Sequence, residues 1–192
     1  GRILTSDGLG NATWQVPAGS GWGLLGNAGT NPATNFVGTT DAQPLRFRIN
    51  GANAGLLGTA NNSTYFGALS GNVSTGASNS FYGAGSGQAN TTGASNTFIG
   101  RNAGAVNSNG NSNTFIGTSS GLTNTTGIEN VYIGESAGNL NITGSRNTFI
   151  GQQSSGLPSN ISNATAIGNA ALVQSNDAMV LGSIAGVNGA LT

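Results

Sequence analysis

Between residues 63 and 182 the large apolar residues come in adjacent pairs, each closed by a glycine. The closing glycines are Gly67, Gly83, Gly100, Gly117, Gly134, Gly151, Gly168 and Gly182, spaced 16, then five times 17, then 14 residues apart. The residue before each glycine is Phe66, Tyr82, Ile99, Ile116, Ile133, Ile150, Ile167 and Leu181. The residue before that is Tyr65, Phe81, Phe98, Phe115, Tyr132, Phe149, Ala166 and Val180. Aromatic and β-branched residues suit a strand. A 17-residue unit with no 3.6-residue apolar stripe does not suit a helix pair. A fixed period of this size marks a repeat architecture.

Other columns keep the same period. An asparagine stands four residues before the glycine in the central units: Asn79, Asn96, Asn113, Asn130 and Asn147. A second glycine follows four after (Gly71, Gly87, Gly104, Gly121, Gly138), and a third nine or ten after (Gly76, Gly93, Gly110, Gly127, Gly144). Between these two lies an Asn/Thr-rich stretch with one aliphatic residue, Val73, Val106, Leu122 or Leu140. Each unit therefore reads as strand, glycine turn, small-residue corner, second short strand, glycine turn. Stacked in parallel, the units predict an all-β chain: a parallel β-solenoid of about seven coils. At a rise of about 4.8 Å per coil, its length is on the order of 35 Å. The Asn column reads as a structural ladder of stacked amides.

Adjacent residues on a strand point to opposite faces. Both faces of the repeated strand are therefore apolar. One face fills the inside of the roll. The other is a stripe of about seven large side chains, too large for a soluble monomer to leave open. This predicts packing against identical chains, with a homotrimer the natural closure for a fibre. The residues expected to carry core and trimer contacts are Phe81, Tyr82, Phe98, Ile99, Phe115, Ile116, Tyr132, Ile133, Phe149 and Ile150, turned by Gly83, Gly100, Gly117, Gly134 and Gly151.

The ends depart from the period. Residues 1–20, with Trp14 and Pro17, read as an extended connector. Residues 21–60 read as a small N-terminal β unit that caps the first coil. In it Leu45, Phe47 and Ile49 alternate with Arg46 and Arg48, and Asn50-Gly51 is a hairpin signal. The roll spans 61–182. Residues 183–192 read as a truncated continuation. A chain that starts at Gly1 rather than Met reads as an internal fragment of a longer protein.

Composition narrows the chemistry. The chain has 192 residues, of which 34 are glycine and 27 asparagine, and only 5% are charged. The bases are Arg2, Arg46, Arg48, Arg101 and Arg146; the acids are Asp7, Asp41, Glu129, Glu135 and Asp177. With zero net charge there is no basic field to hold nucleic acid or an anionic membrane. No apolar run is long enough to insert in a bilayer. Without His or Cys, the common catalytic triads and most transition-metal sites are excluded. Calcium-binding solenoids need an Asp in each turn, which these coils lack. No phosphate-binding loop is present, since Lys is absent. The chain is read as needing no cofactor and as not an enzyme.

The coils resemble the head repeats of trimeric autotransporter adhesins (YadA-like heads), most closely at Asn96-Thr97-Phe98-Ile99-Gly100 and Asn163-Ala164-Thr165-Ala166-Ile167-Gly168. The stretch from Arg2 to Trp14, Gly26-Asn27-Ala28-Gly29-Thr30-Asn31-Pro32, and Asn35-Phe36-Val37-Gly38-Thr39-Thr40-Asp41 resemble the starts of tail-fibre-domain proteins of Bacteroidetes and their phages. The resemblance implies a homotrimeric, left-handed parallel β-roll on a cell surface, virion or phage-like particle. It implies attachment to a target through a cell-surface glycan or protein receptor. The coil departs from adhesin heads in its length and in the aromatic before Ile. A surface adhesin, a phage fibre and a fibre of a contractile injection system remain open as parents.

The enzymatic alternative is a tail-spike-like polysaccharide depolymerase segment, which needs two carboxyls facing one sugar. Glu129 and Glu135 are the candidate pair within one coil; the structural alternative is two solvated turn charges, with Arg101 and Arg146 as surface partners. An ice-binding face would need a flat Thr array, and the Thr columns are interrupted.

Overall fold

The computed structural model describes residues 2–6, 9–15, 31, 36–58 and 61–182. The readings of 183–192, and those resting on 16–30 and 32–35, lie outside the described residues. The chain divides into two compact units, 1–38 and 39–192. In the first, β1 (Ile3–Ser6) and β2 (Ala12–Gln15) pair antiparallel.

The second unit contains a parallel β-solenoid of about seven turns, and no described residue is helical. It opens with a hairpin, β3 (Leu45–Ile49) and β4 (Ala52–Leu57). Asn50 and Gly51 between them both have positive φ, 47° and 75°, the backbone that a two-residue hairpin turn requires. Each coil then contributes one three-residue strand: β5 (Thr64–Phe66), β6 (Ser80–Tyr82), β7 (Thr97–Ile99), β8 (Thr114–Ile116), β9 (Val131–Ile133) and β10 (Thr148–Ile150). After β11 (Ser155–Gly156) come β12 (Thr165–Ile167), β13 (Leu172–Val173) and β14 (Met179–Leu181).

Ten strands form one sheet in the order β14-β12-β10-β9-β8-β7-β6-β5-β4-β3. From β5 onward every pairing is parallel and in register; β4 lies antiparallel on β5. The repeated glycine sustains the register. Gly100 N–H donates to Tyr82 O at 2.8 Å and Gly117 N–H to Ile99 O at 2.7 Å, one coil back each time.

Among the described residues the expected second short strand of each coil is found only at β11 and β13, which pair with each other. Elsewhere the chain curls through tight turns. Ser86 N–H donates to Gly83 O and Asn90 N–H to Gly87 O. Gly87 has φ +56°, so the path bends where a strand would run straight. The aliphatic residues read as part of that strand point outward: Val73, Val106 and Leu140 are exposed.

The core is a column of rings. Tyr65, Phe81, Phe98, Phe115, Tyr132 and Phe149 are buried. Successive centroids lie 4.8 to 5.1 Å apart with planes within 18°, close to the spacing of neighbouring strands. Each such pair adds roughly 0.5–1.5 kcal/mol beyond area burial. Gly104 makes room: a Cβ there would meet the Phe98 ring at 2.5 Å. At the last coils Ala166 replaces the ring, and the vacated width is filled by Ile161 and Val173, both buried.

Candidate functional site

The second residue of each strand faces in, so the first and third face out. The third-position column is the apolar stripe. Phe66, Tyr82, Ile99, Ile133, Ile167 and Leu181 are exposed large hydrophobics, Ile99 at 41%, and Ile116 and Ile150 are half-buried. The stripe extends onto the hairpin. Phe47 pairs with Gly55, and Gly55 with Phe66. A Cβ at Gly55 would meet both rings at 3.1 Å, so the glycine lets Phe47 and Phe66 approach to 5.6 Å. Phe66 and Tyr82 stack at 5.9 Å. Beside the stripe runs the outward first position: Thr64, Ser80, Thr97, Thr114, Val131, Thr148, Thr165 and Met179. No residue of the two outward columns from β5 to β14 is charged.

The Asn column lies inside. Asn79, Asn96, Asn113, Asn130 and Asn147 are all fully buried. Each ties its coil to the next twice. Asn96 Nδ2 donates to Gly110 O at 2.8 Å, and its Oδ1 accepts from the Asn113 backbone N–H at 2.9 Å. Ser63 and Ala164 stand in this column at its two ends: Asn79 N–H donates to Ser63 Oγ at 3.1 Å, and Ala164 N–H to Asn147 Oδ1 at 3.0 Å. Buried amides are tolerated because both ends are bonded.

A second ladder was missed from the sequence. Asn90, Asn107, Asn124 and Asn141 are also buried. Asn107 Nδ2 donates to Asn90 Oδ1 and Asn124 Nδ2 to Asn107 Oδ1, both at 2.9 Å. The signal was available, since these four residues keep the 17-residue spacing. They lie in an Asn/Thr-rich stretch whose composition reads as corner and strand. At Asn141 the ladder breaks. Its Nδ2 donates to the Tyr132 hydroxyl at 2.8 Å, and Asn124 Oδ1 is left buried without a partner. Burial is the larger influence on the Tyr132 phenol and holds its ionisation well above the ordinary value; the Asn141 hydrogen bond lowers it only in part.

Glu129 and Glu135 are both exposed and flank opposite ends of β9. Glu129 occupies a turn column of positive φ shared with Ser78, Ser95, Ser112, Arg146 and Asn163. Residues as different as Ser, Arg and Glu in one backbone role fit a solvated turn position. Glu135 Oε2 accepts from Gln152 Nε2 at 3.2 Å in the next coil. Among the described residues no three His, Cys, Asp or Glu side chains cluster to hold a metal.

A cavity of about 490 Å³ lies elsewhere, at the first coil beneath the β3–β4 hairpin, lined among the described residues by Arg46, Asn53, Tyr65, Ser74 and neighbours, none of them a carboxylate. Comparison with family models, with curated proteins and with solved structures found no match to this chain.

Proposed function

We propose that this chain is a structural and adhesive segment of an extracellular trimeric fibre, either a surface adhesin or a tail fibre, that mediates attachment to a target surface. The observation that carries the reading is the outward stripe. It crosses the sheet from Phe47 to Leu181, in register and uncharged from β5 to β14. Exposed apolar patches of this extent mark interaction surfaces. Its partner is a second and third copy, because an uncharged column repeating at one strand spacing matches an identical column without like-charge conflict. Closing the stripes around an axis gives a trimer. The resemblance of the coils to YadA-like heads supports the same number, and the handedness of those heads.

Stiffness then serves attachment. Coils are tied to one another by backbone pairing throughout, and the central coils also by two amide ladders and ring stacking. The turn side of the roll presents Asn, Ser and Thr at each coil, among them Thr92, Asn109, Asn111 and Thr126, all exposed. Repeated weak contacts to glycans or a protein receptor sum through multivalency. Nothing in this arrangement calls for a membrane-spanning element, and among the described residues no helix is long and apolar enough to be one.

The adhesive half is tested by binding of the fluorescent chain to glycan arrays at graded density. The expected result is binding that rises steeply with density. Absence of binding to every glycan, and to intact cells, would reduce the segment to a spacer.

A further inference from the structure

Tyr65 is the first ring of the core column, 4% exposed, and its hydroxyl is buried without a hydrogen-bond partner. The other core tyrosine shows what such a hydroxyl needs. Tyr132 is satisfied by Asn141, nine residues on. Nine residues after Tyr65 stands Ser74, which is shorter and whose oxygen already accepts from Asn90 Nδ2 at 2.9 Å. The place that an amide fills in the fifth coil thus carries no amide in the first. Tyr65 and Ser74 both line the cavity of about 490 Å³ at the mouth of the roll.

The lining defines the ligand chemistry. Asn53, Asn61, Asn72 and Ser74 bring amides and a hydroxyl, Tyr65 an apolar ring, and Arg46 a guanidinium with no carboxylate among the described lining residues. The size is that of a small-molecule pocket. Closely spaced amides and hydroxyls over an aromatic floor suit a sugar's hydroxyls and apolar face. An unpaired guanidinium favours a carboxylate through a bidentate, charge-assisted contact. We infer that the mouth of the roll binds one acidic sugar residue of the hexuronate class, its carboxylate on Arg46 and its hydroxyls on Ser74 and the lining amides of Asn53 and Asn61. This rests on the adhesive half of the proposed function and names the ligand class for it; it does not depend on the trimer.

The test is titration of the intact chain with glucuronate, followed by saturation-transfer NMR, with glucose as the neutral counterpart. Saturable binding of glucuronate is expected, with glucose at least tenfold weaker. Ser74→Asn places an amide where Asn141 stands in the fifth coil. It should keep the fold, with an equal or higher melting midpoint, and lose at least tenfold in glucuronate affinity. Arg46→Gln, on an exposed hairpin position, should bring glucuronate down to the level of glucose. Absence of saturable glucuronate binding, or undiminished binding by Ser74→Asn, overturns the site. Equal binding of glucose and no effect of Arg46→Gln overturns the acidic assignment. Array binding that persists in Ser74→Asn would sink the pocket and leave the adhesive reading standing.

Discussion

At the scale of single residues, the core column is uniform in its stacking and uneven in its hydroxyls. Tyr132 inserts a polar atom among rings, and it draws Asn141 out of the second amide ladder, stranding Asn124 Oδ1. Tyr132→Phe removes that competition. Asn141 can then donate to Asn124 Oδ1, as Asn124 does to Asn107. A buried hydrogen bond normally contributes about 0.5–1.5 kcal/mol. Here the loss is offset by the bond regained, and the expected change in unfolding free energy is under about 1 kcal/mol. A loss above about 2 kcal/mol would contradict the competition. The same residue sets a pH dependence. Its ordinary ionisation is at 10.0, and burial raises it in the folded chain. Below about pH 10 neither state ionises this phenol and its contribution is fully present. As pH rises beyond that, the unfolded chain ionises first, so stability falls. Denaturant unfolding at pH 8 and pH 11 should show this fall, and Tyr132→Phe should flatten it.

At the scale of the coil, the strand is only three residues long, and the glycine that closes it fixes the distance to the next coil. Gly117 has φ +130°, and a Cβ there would meet Gly134 O at 2.5 Å and Gly134 C at 2.6 Å. Those are backbone atoms and cannot rotate away. Gly117→Ala should therefore cost roughly 3 kcal/mol or more, combining backbone strain with forced separation of coils. Gly51→Ala also carries positive φ, at +75°, but meets nothing within 4 Å. It should cost only about 1–2 kcal/mol. Thermal unfolding of the two variants checks this, and equal losses would show that strain alone governs both positions. The coil is also where legibility from sequence was uneven. Strand, register, the closing glycine and the first Asn ladder were readable because each repeats one residue type at one spacing. The turn path was not. Besides the second glycine, its left-handed positions are held by Ser, Asn, Glu, Arg and Gln, as at Asn102, Glu129 and Gln153, so no one residue type marks them, and the intervening segment reads as a strand. The last coils hid a compensation. Ile161 stands where the third glycine would fall, and its carbonyl still accepts from Asn147 Nδ2 at 2.8 Å.

At the scale of the molecule, the same strand faces inward with rings and outward with the stripe. The sequence showed that one face must be left over without showing which. Exposure assigns it to the third strand position, while the second-position ring packs inward against the coil's second glycine, as Phe98 does at Gly104. The first-coil cavity was beyond sequence reading altogether, since it depends on what Ser74 lacks relative to Asn141. The Glu129 and Glu135 pair, legible as two acids in one coil, lies at opposite ends of a strand, away from the cavity.

Everything proposed for assembly depends on the stripe being covered by identical chains. Sedimentation equilibrium of the chain at tens of micromolar, beside the double variant Ile99→Asp and Ile133→Asp, tests this most directly. The account predicts a species of three times the 18.8 kDa chain mass, and a folded single chain for the variant, since an unpaired buried charge opposes packing. A wild-type chain that sediments at 18.8 kDa with its β-structure intact would contradict it.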